Sequence, residues 1–125
     1  MCIDSIQAAL RTYGCLSICD YPGFEDLDPP DLETYSKALN AGQYPLSILA
    51  VGKRVSEQFV TGLYGNTMTT NPKALEVAST ALKLMDTSVM ENIVKSGKLL
   101  LSKLEELQKS YPDLILRVQG TGLII

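Results

Sequence analysis

The chain opens on a mostly apolar run, Met1-Cys2-Ile3-Asp4-Ser5-Ile6, which reads as the last part of a buried strand. The pattern then dissolves over residues 20–33, where Gly23 and the pair Pro29-Pro30 break regular structure and predict a loop. Leu32–Ser36 is a half-apolar run that predicts a short strand ending at Lys37. Gly42 and Pro45 punctuate a turn. Pro45–Gly52, rich in branched residues and stopped by glycine, predicts a second strand. Lys53–Val60 predicts a short helix. Residues 61–71 are rich in Gly, Thr and Asn without an apolar period and predict a loop.

Two helices follow. Asn71 suits an N-cap, and Pro72 stands where proline is favoured, at the first helical position. Leu75, Ala78, Leu82 and Met85 form one apolar stripe, and Ala74, Val77, Ala81 and Leu84 form another. Two stripes predict a helix buried on more than one side. Asp86-Thr87-Ser88 interrupts the run, and Ser88 with Glu91 spells a capping box. Met90, Ile93, Val94, Gly97, Leu100, Leu101, Leu104 and Leu107 then keep a three-four spacing, with lysines and glutamates elsewhere. That is the pattern of a surface helix. Glu91 with Lys95, and Glu105 with Lys109, are spaced to support it, and it should end before Pro112. Leu114–Val118 predicts a strand, and the glycine turn after it should start another.

Strands alternating with helices indicate an α/β protein, with a change of character near residue 87. Both ends read as cuts through a hydrophobic sheet, so a piece of a larger fold is expected. The first residues lack the basic and long apolar regions of a signal peptide. A composition of 46% hydrophobic and 20% charged residues is globular. The net charge of −3 argues against a nucleic-acid partner, and no apolar run is long enough to suggest a membrane partner.

Histidine is absent, which excludes a Ser-His-Asp triad, a Cys-His pair and imidazole metal ligands from this chain. Cys2, Cys15 and Cys19 are odd in number, and no metal site is expected from them without histidine. Idle thiols suit a reducing compartment, and the expected location is cytoplasmic.

Few side chains remain for chemistry. Glu25, Asp26, Asp28, Asp31 and Glu33 lack the order of a calcium loop and read as a solvated acidic turn. Asp4 sits near the end of an apolar strand, where a carboxylate is costly unless paired. Lys37 follows a strand and precedes the small-residue turn Asn40-Ala41-Gly42; strand ends are where α/β proteins place ligands. By itself this leaves open a reactive amine or a solvated surface lysine. The loop Tyr64–Thr70 is dense in hydroxyls before a helix start, which suits either a phosphate contact or an ordinary connector.

Four strings change that balance: I-D-S-I-Q at 3–7, S-K-A-L-N-A-G-Q-Y-P-L-S at 36–47, L-Y-G-N-T-M-T-T-N-P at 63–72 and V-Q-G-T-G-L at 118–123. In this order the chain resembles the central-to-late part of class III pyridoxal-phosphate aminotransferases, of the ornithine and acetylornithine aminotransferase kind. The resemblance runs across nearly all of the chain, which would be about a third of such an enzyme. It implies fold type I, with residues 1–86 in the cofactor-binding large domain. Residues 87–125 would be the connecting helix and the start of the small C-terminal domain.

The resemblance also implies roles. Lys37 would form the Schiff base with pyridoxal 5′-phosphate, Asp4 would pair with the pyridinium nitrogen, and Gln7 would lie near the phenolic oxygen. Thr67 would reach the phosphate in the partner subunit of a homodimer. The implied activity moves an amino group from an amino acid or ω-amine to a 2-oxo acid, with the isolated 125-residue piece inactive. The same lysine would also serve racemase or aminomutase chemistry. A truncated, non-catalytic interaction piece is the alternative.

Departures from the family pattern are Ser5 in place of a glutamate, Arg11 one place early, and Asn40-Ala41-Gly42 in place of a glycine pair. The family's phosphate loop and ring-stacking aromatic would lie upstream and its substrate-binding arginine downstream. Arg11, Arg54 and Arg117 do not match that arginine.

Overall fold

The computed structural model describes residues 1–125. Three strands form one sheet in the order β1 (Cys2–Asp4), β2 (Leu32–Tyr35), β3 (Ile48–Val51). β1 and β2 run parallel, with Asp4 opposite Thr34; β2 and β3 run antiparallel, with Glu33 opposite Ala50. Parallel strands need a long crossover, and residues 5–31 supply it. Three helices follow, α1 (Lys53–Ser56), α2 (Pro72–Lys83) and α3 (Thr87–Ser110). The expected α/β class is what the structure has.

Local signals placed α2 well. The Asn71 side chain accepts from the Lys73 and Ala74 amides, and Pro72 begins the helix. Ala74 and Ala78 are buried, and these small residues let α2 back onto the 3-10 turn Lys37–Asn40, where Leu39 is buried too. Each stripe is covered only in part: Ala78 and Ala74 are buried, one from each, but Leu75 and Leu84, also one from each, are exposed, so α2 buries one side and not two. A stripe records the capacity to be buried, and these 125 residues cover only part of each.

The second half of the chain also departs from its local pattern. The α3 cap is Asp86, whose carboxylate accepts from the Val89 amide at 3.0 Å, and Ser88 donates to it at 2.7 Å instead of capping. Neither Glu91–Lys95 nor Glu105–Lys109 forms an ion pair; Lys103 pairs with Glu106 at 2.9 Å. Exposed side chains of this kind have several partners of nearly equal energy. The helix expected over 53–60 stops at Ser56.

Leu114–Val118 is not a strand, and beyond the glycine turn there is only a bridge between Thr121 and Ile124. A strand needs a neighbour for its amides, and none lies alongside. Gln108 donates instead to the Leu116 carbonyl at 2.9 Å.

The tail packs back through glycines. Gly97 of α3 lies on Gly122, Gly122 (φ +57°) lies on Thr12, and the Leu123 amide donates to the Arg11 carbonyl at 2.7 Å. Residues 87–125 are thereby fastened to the crossover. Within the crossover Tyr21 is buried, hydrogen-bonds Thr12, and meets Tyr13 edge to face at 5.1 Å.

Candidate active site

β1 ends at Asp4, and its parallel neighbour β2 ends at Tyr35, two residues before Lys37. Asp4 and Lys37 therefore stand at the carboxyl ends of adjacent parallel strands, the edge where α/β sheets bind ligands. Asp4 is exposed and accepts from the Ile6 amide at 3.0 Å and the Thr34 hydroxyl at 3.2 Å. Lys37 is exposed, forms no ion pair, and has φ +46°. A non-glycine residue in the left-handed region carries backbone strain, and such strain clusters where position matters more than comfort. Ala41, at the end of the same turn, shares this geometry with φ +54° and stands where the family pattern has glycine.

Asn40 closes the lysine turn. It is buried, its carbonyl oxygen accepts from the Gly42 amide at 3.1 Å, and its Nδ2 has no partner in the chain. A buried donor without an acceptor is costly, so an acceptor from outside these residues is called for. Gln7 lies three residues past Asp4, exposed, with its Oε1 held by Arg11 at 3.0 Å and its Nε2 free. Thr67 stands apart. It lies in the exposed loop between α1 and α2, and no hydrogen bond ties it to Asp4, Gln7 or Lys37. The register thus sets Asp4 and the approach to Lys37 at neighbouring strand ends, with Gln7 three residues beyond Asp4, while Thr67 lies in a separate loop.

Glu33 is not part of a solvated turn. It is only 3% exposed, on the sheet face opposite Asp4, and accepts a hydrogen bond from Ser5. Strand alternation puts its neighbour Tyr35 on the same face. Burial, then the hydrogen bond from its hydroxyl to Glu33 and the negative charges of Glu33, Asp20 and Cys19, push the Tyr35 phenol far above its usual range. Ser5 stands where the family pattern has a glutamate, and a carboxylate reaches that spot from the neighbouring strand. The sequence reading missed this pair, as it missed Thr34; cross-strand partners leave no local signal. Asp31, another member of the acidic run, pairs with Arg54 at 2.8 Å.

The donor set fits the ring end of a pyridine cofactor: a carboxylate for a ring nitrogen, an amide for a ring oxygen and an unpaired amine for an aldehyde. The phosphate end is not assembled by these residues. Residues 4–125 match the family described as Aminotransferase class-III. The chain belongs to this family. It is 31% identical over 125 residues to mitochondrial ornithine aminotransferase of Oryza sativa subsp. japonica, covering 99% of this chain and 26% of that protein. It is 36% identical over 124 residues to acetylornithine aminotransferase of Clostridium acetobutylicum, covering 98% and 30%. Among solved structures, the ornithine aminotransferase of Toxoplasma gondii, described with partial occupancy of PLP at its active site, superposes with a TM-score of 0.80 at 27% identity. It covers 98% of this chain and 28% of that one. The chain therefore spans less than a third of the length of these class III relatives, and its fold is the matching part of theirs.

Proposed function

We propose that the protein carrying this chain is a pyridoxal 5′-phosphate-dependent transaminase, moving an amino group from an amino acid or ω-amine to a 2-oxo acid. The observation that carries the reading is the pair Asp4 and Lys37 at neighbouring strand ends in a class III chain. When bound, pyridoxal 5′-phosphate supplies a ring that accepts the electrons of the broken substrate C–H bond. The Asp4 carboxylate would hold a proton on the ring nitrogen. Lys37 would hold the cofactor through its amine, and the same amine, when free, would serve as the general base for the proton on the substrate carbon. Arg11 donates to the Gln7 Oε1, which leaves Nε2 as the donor that would serve the phenolic oxygen.

Thr67 serves the phosphate of a partner subunit in a homodimer. Its loop supports this, since Leu63, Tyr64 and Met68 project from it uncovered. Residues 1–86 belong to the large domain and 87–125 to the connecting helix and small domain.

The test takes the longest natural chain that contains these residues, adds pyridoxal 5′-phosphate, and records the visible spectrum. A bound-cofactor band that is lost in Lys37→Ala is expected. A band unchanged by that substitution overturns the assignment of Lys37, and no band at all leaves the non-catalytic reading.

A further inference from the structure

We propose that Thr34 is a positioning residue that aims the Asp4 carboxylate at the cofactor's ring nitrogen. The inference rests on the reading above. The parallel register sets Thr34 directly beside Asp4, and the Thr34 hydroxyl donates to Oδ1 at 3.2 Å. The Ile6 amide donates to the same oxygen at 3.0 Å. Both donors converge on Oδ1, and no donor in the chain reaches Oδ2. A terminal carboxylate otherwise turns through a broad torsional well. Two donors on one oxygen stop that rotation and leave the lone pairs of Oδ2 for a charged N–H. Burial does not orient Asp4, which is exposed, so the hydrogen bonds do it. The Ile6 amide is backbone, and Thr34 is the half of the clamp that side-chain chemistry controls. Its branched shape suits the strand, so valine replaces it with the same outline and no hydroxyl.

The experiment compares wild type, Thr34→Val and Thr34→Ser in the longest natural chain. Each is titrated with pyridoxal 5′-phosphate for its dissociation constant, melted without cofactor, and assayed for kcat and KM. Thr34→Val should weaken cofactor binding roughly tenfold, the scale of one hydrogen bond to a charged group. It should lower kcat more than it changes KM and leave the cofactor-free melt near wild type, while Thr34→Ser restores binding. Binding by Thr34→Val equal to wild type overturns the inference. So does a loss that Thr34→Ser fails to restore, or one that tracks a lowered melt, because each marks a packing role. If Thr34→Val does not fold, Thr34→Ser decides, and weakened binding in it is the overturning result. Wild type that binds no cofactor, or binds it without Lys37, sinks the transaminase reading together with this one. Wild type bound through Lys37 beside an unaffected Thr34→Val sinks the Thr34 role alone.

Discussion

Replacing Gly97 by alanine should destabilise the junction between α3 and the tail, although alanine is the better helix former. In an open helix the change would stabilise by about 1 kcal/mol. Here a Cβ on Gly97 would stand 2.5 Å from the Gly122 carbonyl carbon and 2.6 Å from its Cα, with the oxygen closer still. Those are backbone atoms, so no side chain can swing away. Gly122 cannot retreat either, because its own far side lies against Thr12 and Arg11, and a Cβ there would stand 2.5 Å from the Thr12 Cα. Separation of the three layers by about 1 Å follows, at an overpacking cost of ~1–3 kcal/mol. The 2.7 Å bond from the Leu123 amide to the Arg11 carbonyl stretches with it, which adds about 1 kcal/mol. The net expectation is a loss of roughly 1–3 kcal/mol. Denaturant unfolding of the longest natural chain, followed by far-UV circular dichroism, measures it. An unfolding midpoint equal to or above wild type would refute the claim that the backbones touch at Gly97.

Two other expectations concern polar groups. Ser5→Ala removes the hydroxyl that donates to buried Glu33, and leaving that carboxylate short of a donor should cost about 1–3 kcal/mol; a melting temperature unchanged by the substitution would show that Tyr35 or water satisfies Glu33 alone. Asp86 is held below the ordinary carboxyl range by the Ser88 hydroxyl and then by the Val89 amide. A depressed folded value means its contribution is complete above the ordinary carboxyl pKa of about 3.9 and fades as pH falls through the lower folded value. Amide exchange at Val89 and Met90 should accelerate in that acid window in wild type but not in Asp86→Asn, which keeps the cap without the charge. Equal acid dependence in both proteins would remove Asp86 from the account.

The sequence by itself determined what depends on near neighbours. Asn71 and Pro72 start α2 because a cap and its amides lie within three residues, and the runs at 2–4, 32–35 and 48–51 form strands because apolar, branched residues and the turn residues that bound them are local. It also placed Lys37 at a strand end, and the four family strings gave that position a meaning its spacing lacked. Tertiary structure decided everything that hangs on partners distant along the chain. The parallel register between β1 and β2 brings Thr34 to Asp4 and Glu33 to Ser5 across about thirty residues, and no periodicity encodes which strand lies beside which. The same dependence turned one acid of a polar-looking run into a buried group. It left Leu114–Val118 unpaired, since a strand's hydrogen bonds belong to its neighbour as much as to itself.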